Sequence, residues 1–127
     1  MDLNYISSQI IQAAITVHKT LGPGLLESVY QKCMVIELKK MEMDVESEVD
    51  LPVIYHRQKI TDLGFRIDLL VQKLVIVELK AVEVVKPVHK KQLLTYLRLA
   101  KKDLGLLINF NEALLKHGIT RITNAPL

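Results

Sequence analysis

Glu78 and Lys80 stand two residues apart inside the apolar run from Leu74 to Val82. Side chains repeat every two residues along a strand, so an acid and a base at this spacing share one face. Isolated buried charges are costly enough that proteins pair them, neutralise them or bind a metal with them. Two readings fit: a self-satisfied ion pair, or part of a metal-and-water site. Upstream, Phe65, Ile67, Leu69 and Val71 alternate with Arg66, Asp68 and Leu70, which predicts a second strand with the first set on one face. Only Gln72 and Lys73 separate the runs, so an antiparallel hairpin should bring Asp68 near Glu78. Register decides the use of that meeting. A three-residue loop from Gln72 to Leu74 sets Asp68 opposite Glu78, whereas a two-residue turn at Gln72-Lys73 sets it opposite Val77 and throws the carboxylates onto opposite faces.

Ile6, Ile10, Ala13, Val17 and Leu21 predict a first helix, ended by Gly22-Pro23-Gly24, and a second is expected from about Leu25 to Met41. Strands are expected over Val45 to Tyr55, Lys59 to Val71 with an interruption near Asp62, and Leu74 to Val82. A third helix follows from Pro87 to about Lys102, then a strand over Gly105 to Phe110. This order predicts an α/β layered fold with a mixed sheet. On the third helix Gln92 and Tyr96 lie four apart on one face, as a boundary polar pair or as groups facing a site.

Asp68 followed across a tight hairpin by Glu78-x-Lys80 resembles the signature of the PD-(D/E)xK nuclease superfamily, although no proline precedes this aspartate. Gln92 and Tyr96, as QxxxY on the next helix, resemble the RecB-type branch. Gly24, Glu27 and Tyr30 match the GxxExxY motif that names a small family within the superfamily. The match extends through His18 to Gly24, Val77 to Lys80, Gln92 to Leu97 and Leu104 to Phe110. It departs at His56 to Lys59, where a glycine is expected at the bend, and in the tail Lys116 to Ile122, which leaves Arg121 without a role. The resemblance implies a restriction-endonuclease-like core, a mixed central sheet flanked by helices in the order α-α-β-β-β-α-β. It implies metal-dependent hydrolysis of phosphodiester bonds in nucleic acid, with DNA the first expectation. Asp68, Glu78 and the backbone carbonyl of Leu79 would hold Mg²⁺, with Mn²⁺ as a substitute and Glu27 in the outer shell. Lys80 would orient or help deprotonate the attacking water, Gln92 and Tyr96 would face substrate, and Tyr30 would be mainly structural. Hard cations of this kind take oxygen ligands and keep several waters beside one or two carboxylates.

At 127 residues the chain is expected to form one domain over 1–127. No apolar run approaches the roughly 20 residues that span a bilayer, and no basic stretch precedes an apolar signal core, so a soluble cytoplasmic protein is expected. Cys33 is the single cysteine and reads as a buried small hydrophobe. His18 reads as a capping or packing residue, and His56, His89 and His117 as surface residues. A formal charge of +3 decides little, but Lys86, His89, Lys90, Lys91, Arg98, Lys101 and Lys102 concentrate on and around the third helix, as a nucleic-acid face or a solvated one. Two function classes follow: a metal-dependent nuclease, or a non-catalytic module binding nucleic acid or protein on the same fold. Either leaves open a homodimer or a partner protein to close around a duplex.

Overall fold

The computed structural model describes residues 2–60 and 64–124, so the expected interruption near Asp62 lies outside the described residues. Helix α1 spans Leu3–Leu21 and α2 spans Glu27–Lys40. The Asp2 carboxylate accepts from the Asn4 N–H at 3.0 Å and so satisfies one orphan donor at the start of α1. Ile6, Ile10, Ala13, Ala14 and Val17 form its buried stripe at helical spacing.

The strands are β1 Val45–Leu51, β2 Ile54–Tyr55, β3 Gln58–Lys59, β4 Phe65–Val71, β5 Val75–Lys80, β6 Leu104–Asn109 and β7 Ile119–Thr123, with helix α3 at Pro87–Ala100 and a 3₁₀ turn at Leu115–Gly118. The main sheet has the order β1-β4-β5-β6-β7; β5 and β6 are parallel, joined through α3, and the other neighbours are antiparallel. This is the expected mixed α/β sheet with two departures. β1 stops at Leu51 because Pro52 has no N–H to continue a ladder, and β2 and β3 form a separate small ladder. β7 adds an unexpected strand, and its Arg121 donates to Ser7 Oγ at 3.2 Å and Asn4 Oδ1 at 2.9 Å, tying the sheet edge to α1. Arg121 is therefore structural.

β6 is buried throughout and β5 over all but its last residue, because α1 and α2 cover one face of the sheet and α3 the other. Leu69, Val71, Val77 and Leu106 pack toward α1 and α2; Ile67, Leu70, Ile76 and Leu107 pack with Leu93, Tyr96 and Leu97 of α3. The simple alternation expected of β4 is thus corrected, because Ile67 and Leu69 belong to different cores. The pleat reverses at Asp68. Its partner position on β1 is Glu48, between the pairs Ser47–Leu69 and Val49–Ile67, and Glu48 has φ +52°. A left-handed residue turns the strand over, so Val45 packs with the first core and Val49 with the second.

The β4–β5 connection combines both expected turns. Gln72 and Lys73 have φ +54° and +55°, and the Leu74 N–H donates to the Val71 carbonyl at 3.0 Å, as in a type I′ turn. Leu74 is then an extra residue, since Val71 pairs with Val75. The pairing is consequently Leu70–Ile76 and Leu69–Val77, and Asp68 falls opposite Glu78. Lys73 is exposed and adopts a conformation that suits glycine, so Lys73→Gly should stabilise the protein by about 0.5–1 kcal/mol in denaturant melts. A fall would mean that its 3.6 Å ion pair with Glu46 outweighs the backbone strain.

Candidate active site

Backbone pairing between β4 and β5 gives way to side chains one step beyond Leu69–Val77. The Asp68 N–H donates to Glu78 Oε2 at 3.0 Å, and the Leu79 N–H donates to Asp68 Oδ2 at 2.8 Å. Each carboxylate satisfies a donor on the opposite strand, and the ladder opens around the pair. N–H and C=O of one strand residue leave on the same edge. Lys80 directs its carbonyl at β6, where it accepts from the Phe110 N–H at 2.8 Å, so the neighbouring Leu79 directs its carbonyl into the β4–β5 gap.

Glu78 is 8% exposed. Burial pushes its carboxyl up from the ordinary range to about 9, helped by the negative charge of Asp68 and by a hydrogen bond between the two side chains. The Asp68 N–H and the charge of Lys80 pull the other way and lose. Glu78 is therefore protonated at neutral pH. Tyr96, on the α3 side, has its hydroxyl pKa raised by burial and then by Glu78 and Asp68, which puts it in the field of both. Its ring lies 5.7 Å from that of Phe65.

The structure joins Asp68 and Glu78 across the two strands and sets Lys80 and Tyr96 within range of their charges. Gln92 is exposed one helical turn before Tyr96. Glu27, the first residue of α2, approaches from the other face, its Oε1 accepting from the Ala81 N–H at 3.4 Å, just past the end of β5. Among the described residues no three His, Cys, Asp or Glu side chains gather as a metal-holding group, so Glu27 stands outside the Asp68–Glu78 pair. Tyr30 lies in the core, away from the Asp68–Glu78 pair. It is fully buried, donates to the Gly22 carbonyl at 2.6 Å, accepts from the Leu25 N–H at 3.2 Å and stacks on Phe110 at 4.4 Å. It holds the Gly22-Pro23-Gly24 turn and thereby the start of α2. His18 packs as expected and bonds through Nε2 to the Glu112 carbonyl at 2.8 Å. His89 is not a plain surface residue, since its Nδ1 accepts from the Lys86 N–H at 3.1 Å and closes the start of α3. Cys33 is half-buried.

Asn109 was missed. It is fully buried, opposite Lys80 in the parallel register, and its amide donates to the Val82 carbonyl at 2.9 Å and accepts from the Val82 N–H at 3.1 Å. It clamps the chain where it leaves β5. A polar residue inside the apolar run Leu104 to Phe110 was the available signal.

A family model described as the PD-(D/E)XK nuclease superfamily matches residues 4–122. The chain belongs to that superfamily. No curated protein and no solved structure matches it. Asp68 and Glu78-x-Lys80 follow the spelling of the superfamily's name, with Ile67 where it writes proline; Ile67 is 2% exposed in the α3-side core.

The raised Glu78 pKa has a pH consequence with a definite sign. An acid whose folded pKa lies above its unfolded value holds its proton more tightly in the native state, so stability falls as pH rises through that window. Between the ordinary value of 4.5 and about 9, the wild-type protein should lose up to about 1.4 kcal/mol per pH unit. Glu78→Gln keeps the shape of the neutral acid and should flatten that slope, leaving the variant more stable than wild type above pH 7 in metal-free denaturant melts. Parallel pH profiles for the two proteins would refute the assignment.

Proposed function

We propose that this protein is a metal-dependent nuclease hydrolysing phosphodiester bonds in nucleic acid, DNA first, from the GxxExxY group and QxxxY branch of its superfamily, and that it works in the cytoplasm. The observation carrying this reading is the reciprocal Asp68–Glu78 pair at the opened end of the β4–β5 ladder, with Lys80 beside it. The oxygen donors present, two carboxylates and the Leu79 carbonyl, fit a hard divalent cation such as Mg²⁺ or its substitute Mn²⁺, which needs few protein ligands. When bound, the ion would supply Lewis-acid stabilisation of charge developing on phosphate oxygens. Glu78 has to release its proton for the donor set to be complete. Lys80 orients the attacking water and neutralises charge on the phosphate, and Tyr96 donates from the α3 side. Gln92, on the exposed turn before it, reaches for substrate, and Glu27 acts in the outer shell by fixing the chain at Ala81. Lys86, Lys90, Lys91, Arg98 and Lys101 are exposed on and beside α3, the same side of the sheet, and suit a phosphate backbone.

A non-catalytic binding module is the second reading, and the lack of a third acid near the pair among the described residues favours it. Cleavage of single- and double-stranded DNA and RNA should appear with Mg²⁺ or Mn²⁺ and vanish in Glu78→Ala and Lys80→Ala prepared in parallel. Cleavage that survives in both variants is contamination, and none in wild type leaves the binding module.

Metal binding gives an independent reading. Mn²⁺ at about 100 times its Kd should stabilise the wild type by about 2.7 kcal/mol, and Glu78→Gln should lose that gain. Because the ion displaces a proton held up to about 9, the apparent Kd for Mn²⁺ should tighten roughly tenfold per pH unit from pH 6 to 8. A melting temperature indifferent to Mn²⁺ at every pH would remove the metal site.

A further inference from the structure

The β2–β3 ladder leaves the main sheet at Pro52, and nothing in the catalytic reading uses it. Its root is the Leu51–Phe65 pair, and the Phe65 ring touches Tyr96, so the hairpin rises from the rim of the carboxylate site. Ile54, Tyr55 and Ile60 are exposed, Tyr55 by 65%. The Tyr55 ring is braced edge-on by His56 at 4.3 Å and 67°. His56 and Arg57 form the two-residue bend at φ +48° and +66°. Side chains at these angles are strained against glycine, and the bend carries an imidazole and a guanidinium all the same. Arg57 is exposed two residues from the ring.

An exposed aromatic ring, held by a neighbour and with a guanidinium two residues on, has the chemistry of a base-stacking element: the ring takes a nucleobase face and the guanidinium takes its phosphate. A duplex hides its base faces inside the stack. A protein partner matched to Ile54 and Ile60 would not require a guanidinium held at a left-handed bend. We propose that the β2–β3 hairpin is a stacking platform for single-stranded nucleic acid, with Tyr55 stacking on an unpaired base and Arg57 holding its phosphate. This rests on the nuclease reading and deepens it by naming strands with unpaired bases as the substrate class.

The chain contains no tryptophan, so Tyr55→Trp places a single indole on the platform. Titrated without divalent metal, its emission should fall by at least half with an oligothymidylate and stay unchanged with a duplex of equal length. By anisotropy, Tyr55→Ala should bind labelled oligothymidylate roughly tenfold more weakly at an unchanged melting temperature, while Tyr55→Phe binds like wild type. An unquenched indole, or equal binding by Tyr55→Ala, overturns the platform. Sedimentation covers the other occupant: a dimer that Tyr55→Ala dissolves without weakening oligonucleotide binding makes the hairpin a contact between copies and also overturns it. Cleavage with Mn²⁺ separates the two readings. Single-strand cleavage with the same KM in wild type and Tyr55→Ala keeps the nuclease and removes the platform, whereas quenching without any cleavage keeps the platform and removes turnover.

Discussion

The seating of buried Glu78 against half-buried Asp68 at the point where β4 and β5 part is the constraint around which the rest of the molecule is arranged. Buried backbone donors need partners, and a ladder that stops inside a sheet would leave the N–H groups of Asp68 and Leu79 without them. Glu78 and Asp68 supply those partners from opposite strands, at 3.0 and 2.8 Å. The same bonds hold both carboxyls in one orientation, so what satisfies the backbone also fixes the site. Reversal of the pleat at Asp68, matched by left-handed Glu48 on β1, lets β4 serve two cores on either side of it.

Two distant clamps keep the surrounding elements in step. Tyr30 pins the Gly22-Pro23-Gly24 turn from inside the α1–α2 core, and three residues earlier on the same helix Glu27 reaches the Ala81 N–H. Asn109 grips both polar groups of Val82 from β6. The chain is therefore held on both sides of the sheet just after Lys80, and the path into α3 begins from a fixed point. His89 then closes the start of that helix on Lys86. Tyr96, further along that helix, lies in the field of both carboxyl groups.

Helices and central strands were legible because their apolar periods are clean, and Asp68 with Glu78-x-Lys80 was legible because charges interrupt an apolar strand. The register could be stated only as a condition, since Gln72 and Lys73 do form the tight turn and Leu74 alone restores the even pairing. Alternation along β4 misled at Ile67, because a pleat reversal depends on the backbone angle of Glu48 on another strand, which no pattern within β4 records. β7 was hidden by weak apolar alternation in Ile119–Thr123, a strand with one partner and a half-exposed surface. Tyr30 and Glu27 stand three apart on α2 yet act in different places, one hydrogen-bonded in the core and the other at the Ala81 N–H.

Which charge neutralises which is decided by magnitudes. Were the site an ion pair, Lys80 would be the dominant influence on Glu78 and would hold it ionised. Its pull is instead the weakest of those acting, behind burial, the charge of Asp68 and the hydrogen bonds between the two residues. Burial in a low-dielectric core raises the cost of the charged acid more than an ammonium on a flexible stem, half-exposed two residues along, can offset. Burial and Asp68 thus outweigh Lys80 in holding the proton on Glu78. A proton held this way would be given up to a stronger local positive charge, which is what the proposed divalent cation would supply.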